Sequence, residues 1–157
     1  MNMAPTNDTE TTGGGAPAAV PPPVRAFVQR HRIPSASIRP DGRVVLSIDQ
    51  HYRVQLIPAP HNRVAIQHEL LALPDQESRA FDDLLLRLAK AACGLLQQHA
   101  STLSIDRRRQ ALVLQQTVEA SADLAALEGA LADFTNTLPF WGHLCRAEAV
   151  NPQRMPS

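Results

Sequence analysis

The chain has 157 residues, of which 44% are apolar, and its 15 lysine and arginine residues balance its 15 aspartate and glutamate residues. This length suits one domain with a tail, and the balanced charge argues against a general nucleic-acid or anionic-membrane binder, which would have a basic excess. Because there is no apolar run long enough to cross a membrane and no basic-then-apolar N-terminal segment, we predict a cytoplasmic protein without a secretory signal.

The first 23 residues are rich in threonine, glycine and proline and contain GGG and PPP runs. Such a segment cannot bury enough apolar surface to offset its ordering entropy, so residues 1–23 are predicted to be disordered. They form either a mobile arm that contacts a partner or a dispensable tail. Residues 148–157 are predicted to be a second disordered tail, which leaves one folded domain over residues 24–147.

The domain is predicted to begin with a short helix over residues 24–32, with Val24, Phe27 and Val28 on its apolar face and Pro34 after its end. Alternating apolar and polar residues then predict three strands, over residues 43–49, 51–57 and 64–70. Their short connections make neighbouring strands antiparallel, so this region is predicted to be a three-stranded meander.

A second helix is predicted from residue 74 to about residue 99, because apolar side chains recur at helical spacing. Its stripe consists of Phe81, Leu84, Leu85, Leu88, Ala92 and Leu95. Leu86 and Leu96 lie off this stripe and widen the apolar surface, which suggests contact with more than one partner surface. Residues 102–105 and 110–119 then predict a hairpin around a turn at residues 106–109.

The last helix is predicted within residues 121–146 and provides the main hydrophobic surface of the domain. Its stripe consists of Leu124, Leu127, Leu131, Phe134, Leu138 and Trp141. Ser121 is predicted as the N-cap, Asp123 faces the positive end of the helix dipole, and Pro139 is predicted to kink or break the helix. The resulting order is α-β-β-β-α-β-β-α, an α+β fold with helices packed on a twisted antiparallel sheet.

Residues that could carry chemistry are scattered. The six histidines form no HxxxH or HExxH pair, and no CxxC or GxSxG motif is present. We therefore predict structural or surface histidines, no catalytic residue, no metal and no cofactor; an enzyme using His68 or His143 is the third hypothesis. Cys93 and Cys145 are predicted to be buried reduced thiols. The arginines at residues 107–109 are interpreted as a solvated turn rather than a phosphate contact.

Apolar residues remain on the predicted outer face of the sheet, namely Val45, Ile57, Leu71 and Val113. Together with the off-stripe leucines of the second helix, they suggest surfaces for other polypeptides. The alternative is that the short first helix covers some of them and the rest are scattered.

The order of elements resembles the small class I chaperones of bacterial type III secretion, which bind effectors before export. The resemblance covers residues 24–146. Its motifs are the strand and helix ALVLQQTVEASADLAALEGALADFTNTLPFWGHLC, the hairpin DGRVVLSIDQHYRVQLIPAP and the helix LPDQESRAFDDLLLRLAKAA. The chain departs from many members in being neutral rather than acidic, in its long proline-rich arm and in Pro139.

The resemblance implies a homodimer without metal or nucleotide, whose partners are secreted effectors and the export ATPase. By position, the dimer interface would contain Leu84, Leu88, Leu95, Leu103 and Val113. An effector segment would add a strand to an exposed sheet edge and press apolar residues near the first helix. The residues expected to bind it are Phe27, Val28, Val45 and Ile57. The function implied is an effector chaperone; the alternative is a regulatory or assembly adaptor on the same fold.

Overall fold

The computed structural model describes residues 19–75, 77–95 and 98–150. The elements are α1 (Pro22–Arg30), β1 (Val44–Ile48), β2 (Tyr52–Ala59), β3 (Arg63–Ala72), α2 (Arg79–Cys93), β4 (Thr102–Asp106), β5 (Ala111–Glu119) and α3 (Leu124–Val150). One 3-10 turn, Ser35–Ser37, follows α1. The predicted α-β-β-β-α-β-β-α order and the α+β class are confirmed.

The five strands form one antiparallel sheet in the order β1-β2-β3-β5-β4. Strand β5 pairs with β3 and so extends the β1–β3 meander on one side. After β3 the chain passes through α2 to the edge strand β4, and the β4–β5 hairpin then brings it back beside β3. The turn of that hairpin is held by Asp106, whose Oδ1 accepts the backbone N–H groups of Arg108 and Arg109 at 3.0 and 3.2 Å. Strands β1 and β4 are therefore the two edges of the sheet.

All three helices lie on one face of the sheet, which we call the inner face. The main core contains Val24, Phe27, Val44, Leu46, Val54, Leu56, Val64, Ile66, Leu114, Leu127, Leu131, Phe134, Leu138 and Trp141. A second cluster joins α2 to the end of the sheet through Leu73, Leu84, Leu88, Leu112 and Cys145. The predicted stripe of α3 is thus confirmed, although Leu124 is only half-buried.

A β-bulge in β3 overturns one predicted orientation. Glu69 lies opposite Val113 on the outer face, but the register shifts before Leu71, which lies opposite Leu112. Because a bulge inserts one extra residue, it moves every later side chain of the strand to the other face. The prediction that Leu71 faces outward is therefore wrong, and its side chain packs against the second cluster.

The predicted start and break of the last helix are also wrong. Asp123, not Ser121, caps α3, since its Oδ1 accepts the N–H of Ala126 at 2.8 Å. The helix continues through Pro139 to Val150. A proline removes one backbone hydrogen bond. Leu138 and Trp141 lie on either side of Pro139 and are 0% and 2% exposed, so their burial holds the helix in place where that hydrogen bond is missing.

The other boundaries differ by a few residues. Helix α1 starts at Pro22, where a proline costs no hydrogen bond, and α3 extends three residues past the predicted end of the domain. Helix α2 begins after Ser78, whose Oγ accepts the N–H of Phe81 at 3.2 Å, and ends well before residue 99. The predicted disorder of residues 1–18 and 151–157 and the prediction for Leu96 lie outside the described residues.

Candidate functional site

A groove of about 480 Å³ runs between α1 and α3 beside the edge strand β1. It is lined by Phe27, Arg30, His31, Ile48, Glu128, Leu131, Ala132 and Thr135. The floor is apolar, and polar side chains come from both walls, with Arg30 and His31 at the end of α1 and Glu128 on α3. Helix α1 contributes Phe27 to the core and also forms one wall of the groove. Such a groove suits an apolar side chain of a partner more than a small polar ligand.

The wall formed by α1 is fixed to α3 by a cluster of polar contacts. The Nε2 atom of His31 lies 2.8 Å from Oε1 of Glu128, and Nε of Arg30 lies 3.5 Å from the same oxygen. The His31 ring also lies against Phe27, with 4.4 Å between centroids. These contacts are at the surface, so each stabilises little, and they add to the packing of Val24 and Phe27 in the core.

The free edge of β1 borders this groove. Ile38 forms a single bridge to Val44 on that side, and no strand pairs with residues 45–48 there within the described parts of the chain. Those residues leave backbone N–H and C=O groups available to another strand. Ile48 faces the groove, whereas Val45 faces the opposite side of the sheet. The β1 edge therefore separates two different surfaces.

The outer face of the sheet is more polar than predicted. Gln55, Gln67 and Gln115 lie side by side across three strands, and Nε2 of Gln67 donates to Oε1 of Gln115 at 2.6 Å. No helix covers this face in the part of the chain that the structure describes, so the alternative in which the first helix covers it is wrong. The row could have been found from the sequence, since each glutamine stands at an outward position of its strand.

The four predicted effector-binding residues do not form one patch. Phe27 is 7% exposed and belongs to the core while lining the groove, and Val28 is half-buried on the same helix. Val45 and Ile57 are half-buried on the outer face. The structure therefore places two of them on each side of the sheet, with the β1 edge between.

The predicted dimer residues are also distributed over two faces. Leu84 and Leu88 are 5% and 1% exposed and fill the second cluster of the subunit's own core. Leu95 and Leu103 are half-buried against the core, and Val113 lies on the outer face. Sequence periodicity identified the buried stripe of α2. Leu86 lies outside that stripe and is 56% exposed.

The two cysteines have different environments, so the prediction that both are buried is wrong for Cys93. Cys93 is exposed on α2, whereas Cys145 is buried in the second cluster. Burial raises the pKa of the Cys145 thiol from its ordinary value of 9.0 to about 11, and Arg146 offsets only part of this rise. Since the thiolate is the reactive form, Cys145 is chemically protected.

Thiol labelling tests this difference. At about pH 8, we expect one thiol of the native protein to react quickly and the second to react only in denaturant, because Cys145 is neither accessible nor ionised. The Cys93→Ser variant should lose the fast reaction and keep the slow one. Equal rates for both thiols in the native protein would contradict the assigned burial of Cys145.

The described residues contain no group of three or more histidine, cysteine, aspartate or glutamate side chains that could hold a metal ion. Of the histidines, His68 lies within β3, with Nδ1 3.0 Å from the backbone oxygen of Arg53 and its ring edge-on to Tyr52. Within the same residues, no helix is long and apolar enough to cross a membrane.

Comparison with known proteins gives a family for this arrangement. The sequence model of the Tir chaperone protein (CesT) family matches residues 24–141, which is most of the chain and almost all of the described fold. The chain belongs to the Tir chaperone family. No curated protein sequence matches it.

Several solved structures share the fold of this chain. The ExsC–ExsE complex is 19% identical, with 78% of this chain and 90% of that chain covered and a TM-score of 0.58. The HopA1–SchA chaperone–effector complex is 15% identical, with 75% and 88% covered and a TM-score of 0.54. The Yersinia pestis type III secretion chaperone SycH, solved with a fragment of YscM2, is 11% identical, with 76% and 96% covered and a TM-score of 0.52.

The predicted assignment to the class I chaperones of type III secretion is confirmed by the family match together with the fold. The chain is an effector chaperone, and the alternative of a regulatory or assembly adaptor is not favoured. The family is one of chaperones rather than of enzymes.

Proposed function

We propose that this chaperone acts in the cytoplasm and holds an N-terminal effector segment in extended form, along the free edge of β1 and in the α1–α3 groove. The observation that supports this proposal most strongly is that the apolar α1–α3 groove and the free edge of β1 meet at Ile48. Main-chain hydrogen bonds at an edge accept any sequence, while a groove beside it selects apolar side chains at alternate positions. That combination suits a chaperone for unfolded cargo.

Copurification from the native host followed by mass spectrometry would identify the effector. Amide hydrogen exchange of the purified complex would then locate it. We expect the backbone amides of β1 that face the free edge to gain protection on binding, since they acquire strand partners. Protection confined to the opposite edge strand β4 would contradict this placement even if the effector is found.

We also propose a homodimer formed through the exposed side of α2. Leu86 is one of two large apolar side chains that are strongly exposed among the described residues, the other being Phe140. Half-buried Leu85 and exposed Ala89 border Leu86. An exposed leucine flanked by apolar neighbours on a helix is typical of an interface core. Binding of the dimer to the export ATPase remains a prediction.

The oligomeric state tests this interface. We expect light scattering to give twice the 17.1 kDa mass of the chain, and the Leu86→Arg variant to give the monomer mass because two charges would meet across the twofold axis. Phe140→Arg is the matched control, since it places the same charge at another exposed apolar position and should leave the dimer intact. A monomeric parent protein would contradict the proposal.

A further inference from the structure

A basic depression of about 410 Å³ lies on the outer face of the sheet near β1 and β2. Four arginines and one carboxylate line it together with an amide and two apolar side chains, namely Arg39, Arg43, Arg53, Arg109, Asp41, Gln55, Pro40 and Val45. The arginines come from the loop before β1, from β2 and from the distant β4–β5 turn. The tertiary structure therefore gathers positive charge that the neutral composition of the chain does not indicate.

Two of these four groups are partly neutralised. Nη1 of Arg43 donates to Oε1 of Gln55 at 2.9 Å, and its Nε lies 3.6 Å from Oδ2 of Asp41. Nη1 of Arg109 lies 3.7 Å from Oε2 of Glu69. In the part of the chain that the structure describes, the side chains of Arg39 and Arg53 form no ion pair, and both residues are exposed. The depression thus keeps a net positive charge toward solvent.

We propose that this depression, which we call the arginine depression, binds an acidic segment of the cargo polypeptide through its aspartate or glutamate carboxylates. Guanidinium groups bind carboxylates in a bidentate manner, and the adjacent amide of Gln55 can donate to a second oxygen. The proposal rests on the proposed function and adds to it a second recognition surface, on the opposite face of the sheet from the α1–α3 groove.

Charge distribution favours a polypeptide over a nucleic acid. A nucleic-acid binder needs a basic stripe that follows several phosphates, with a basic excess for the whole domain. This chain is neutral, and the positive charge of the arginine depression is confined to four arginines, with Asp41 in the lining and Glu69 paired to Arg109, so it forms no stripe along which several phosphates could lie. A few carboxylates at defined positions on a peptide fit this small basic area better.

The free edge of β1 lies beside the arginine depression and would set the direction of the side chains of a bound cargo strand. Successive side chains of a strand point to opposite faces of the sheet. A cargo strand paired with β1 would therefore direct alternate side chains toward the α1–α3 groove and toward the arginine depression. Val45, which lines the depression, is itself an outward residue of β1. The structure thus predicts cargo with apolar residues at one set of alternate positions and acidic residues at the other.

Peptide titration of the full chain tests this proposal without the natural effector. The probe is a fluorescent peptide of about eight residues that alternates glutamate and threonine, with a glutamine–threonine peptide of the same length as its control. We expect the glutamate peptide to bind better, with an affinity that falls as NaCl rises from about 50 to about 500 mM. The Arg39→Glu/Arg53→Glu variant should bind it at least about tenfold more weakly.

The control variant is Arg79→Glu/Arg146→Glu, which makes the same charge change at exposed positions on α2 and α3, on the other face of the sheet. It should retain the affinity of the parent protein. Equal binding of the two peptides, an equal loss in both variants, or arginine-dependent binding of an oligonucleotide but not of the glutamate peptide would overturn the proposal. None of these outcomes depends on whether the α1–α3 groove holds the effector, so the two proposals fail separately.

Discussion

Replacing Phe134 with alanine is expected to lower the free energy of unfolding by about 3–5 kcal/mol. Phe134 is 0% exposed and lies in the middle of the stripe that α3 places against the sheet. The substitution removes the buried ring and leaves a cavity that the neighbouring strands cannot close completely. Since a domain of this size has only about 5–15 kcal/mol of net stability, this single change removes a large fraction of it.

Phe140 on the same helix provides the matched control. It is 48% exposed, so Phe140→Ala should cost less than about 1 kcal/mol. Urea denaturation followed by the fluorescence of Trp141 would measure both variants. If Phe134→Ala does not fold, Phe134→Leu, which leaves a smaller cavity, should give a measurable intermediate loss. Equal effects at the two positions would mean that the orientation of α3 is wrong.

Replacing Ala132 with aspartate is expected to weaken effector binding at least about tenfold while leaving the fold intact. Ala132 is exposed and lines the α1–α3 groove. An aspartate there would lose its hydration against an apolar cargo side chain and would lie one turn from the carboxylate of Glu128. The stability cost should remain below about 1 kcal/mol, since the site is at the surface of the helix.

Ala147→Asp is the control for this variant, because Ala147 is exposed on the same helix about four turns away. The affinity for the copurified effector segment, measured by calorimetry, should be unchanged by it. Unchanged affinity in Ala132→Asp would exclude the groove as the docking site. Phe27→Asp is not a useful test, because Phe27 is 7% exposed in the core and a charge there would unfold the domain.

The elements that the sequence predicted best are those in which local pattern and tertiary packing agree. The α3 stripe and the alternating strands are confirmed because residues that are periodic along the chain are also buried on one side. Residues outside such patterns were predicted less well. The bulge that turns Leu71 inward depends on pairing with β5, more than 30 positions later in the chain, and a local pattern contains no information about that pairing.

The candidate sites were predicted less completely than the fold. The sequence placed Phe27 and Val45 in one effector-binding set, whereas the structure places them on opposite sides of the β1 edge. Local sequence patterns could not predict the arginine depression, because Arg39 and Arg109 are 70 positions apart and meet only when the sheet forms. The resemblance placed Leu88 in the dimer interface by its position, and the structure shows it buried in the core of its own chain.

The sequence by itself determined the order of elements, the α+β class and the family, since these follow from periodic apolar residues and from motifs that are continuous along the chain. Only the tertiary structure decided which apolar residues are buried inside the domain and which remain exposed. The physical reason is that burial depends on the neighbours of a side chain in space. Leu86 and Leu88 are two positions apart on one helix, and one is exposed while the other is buried.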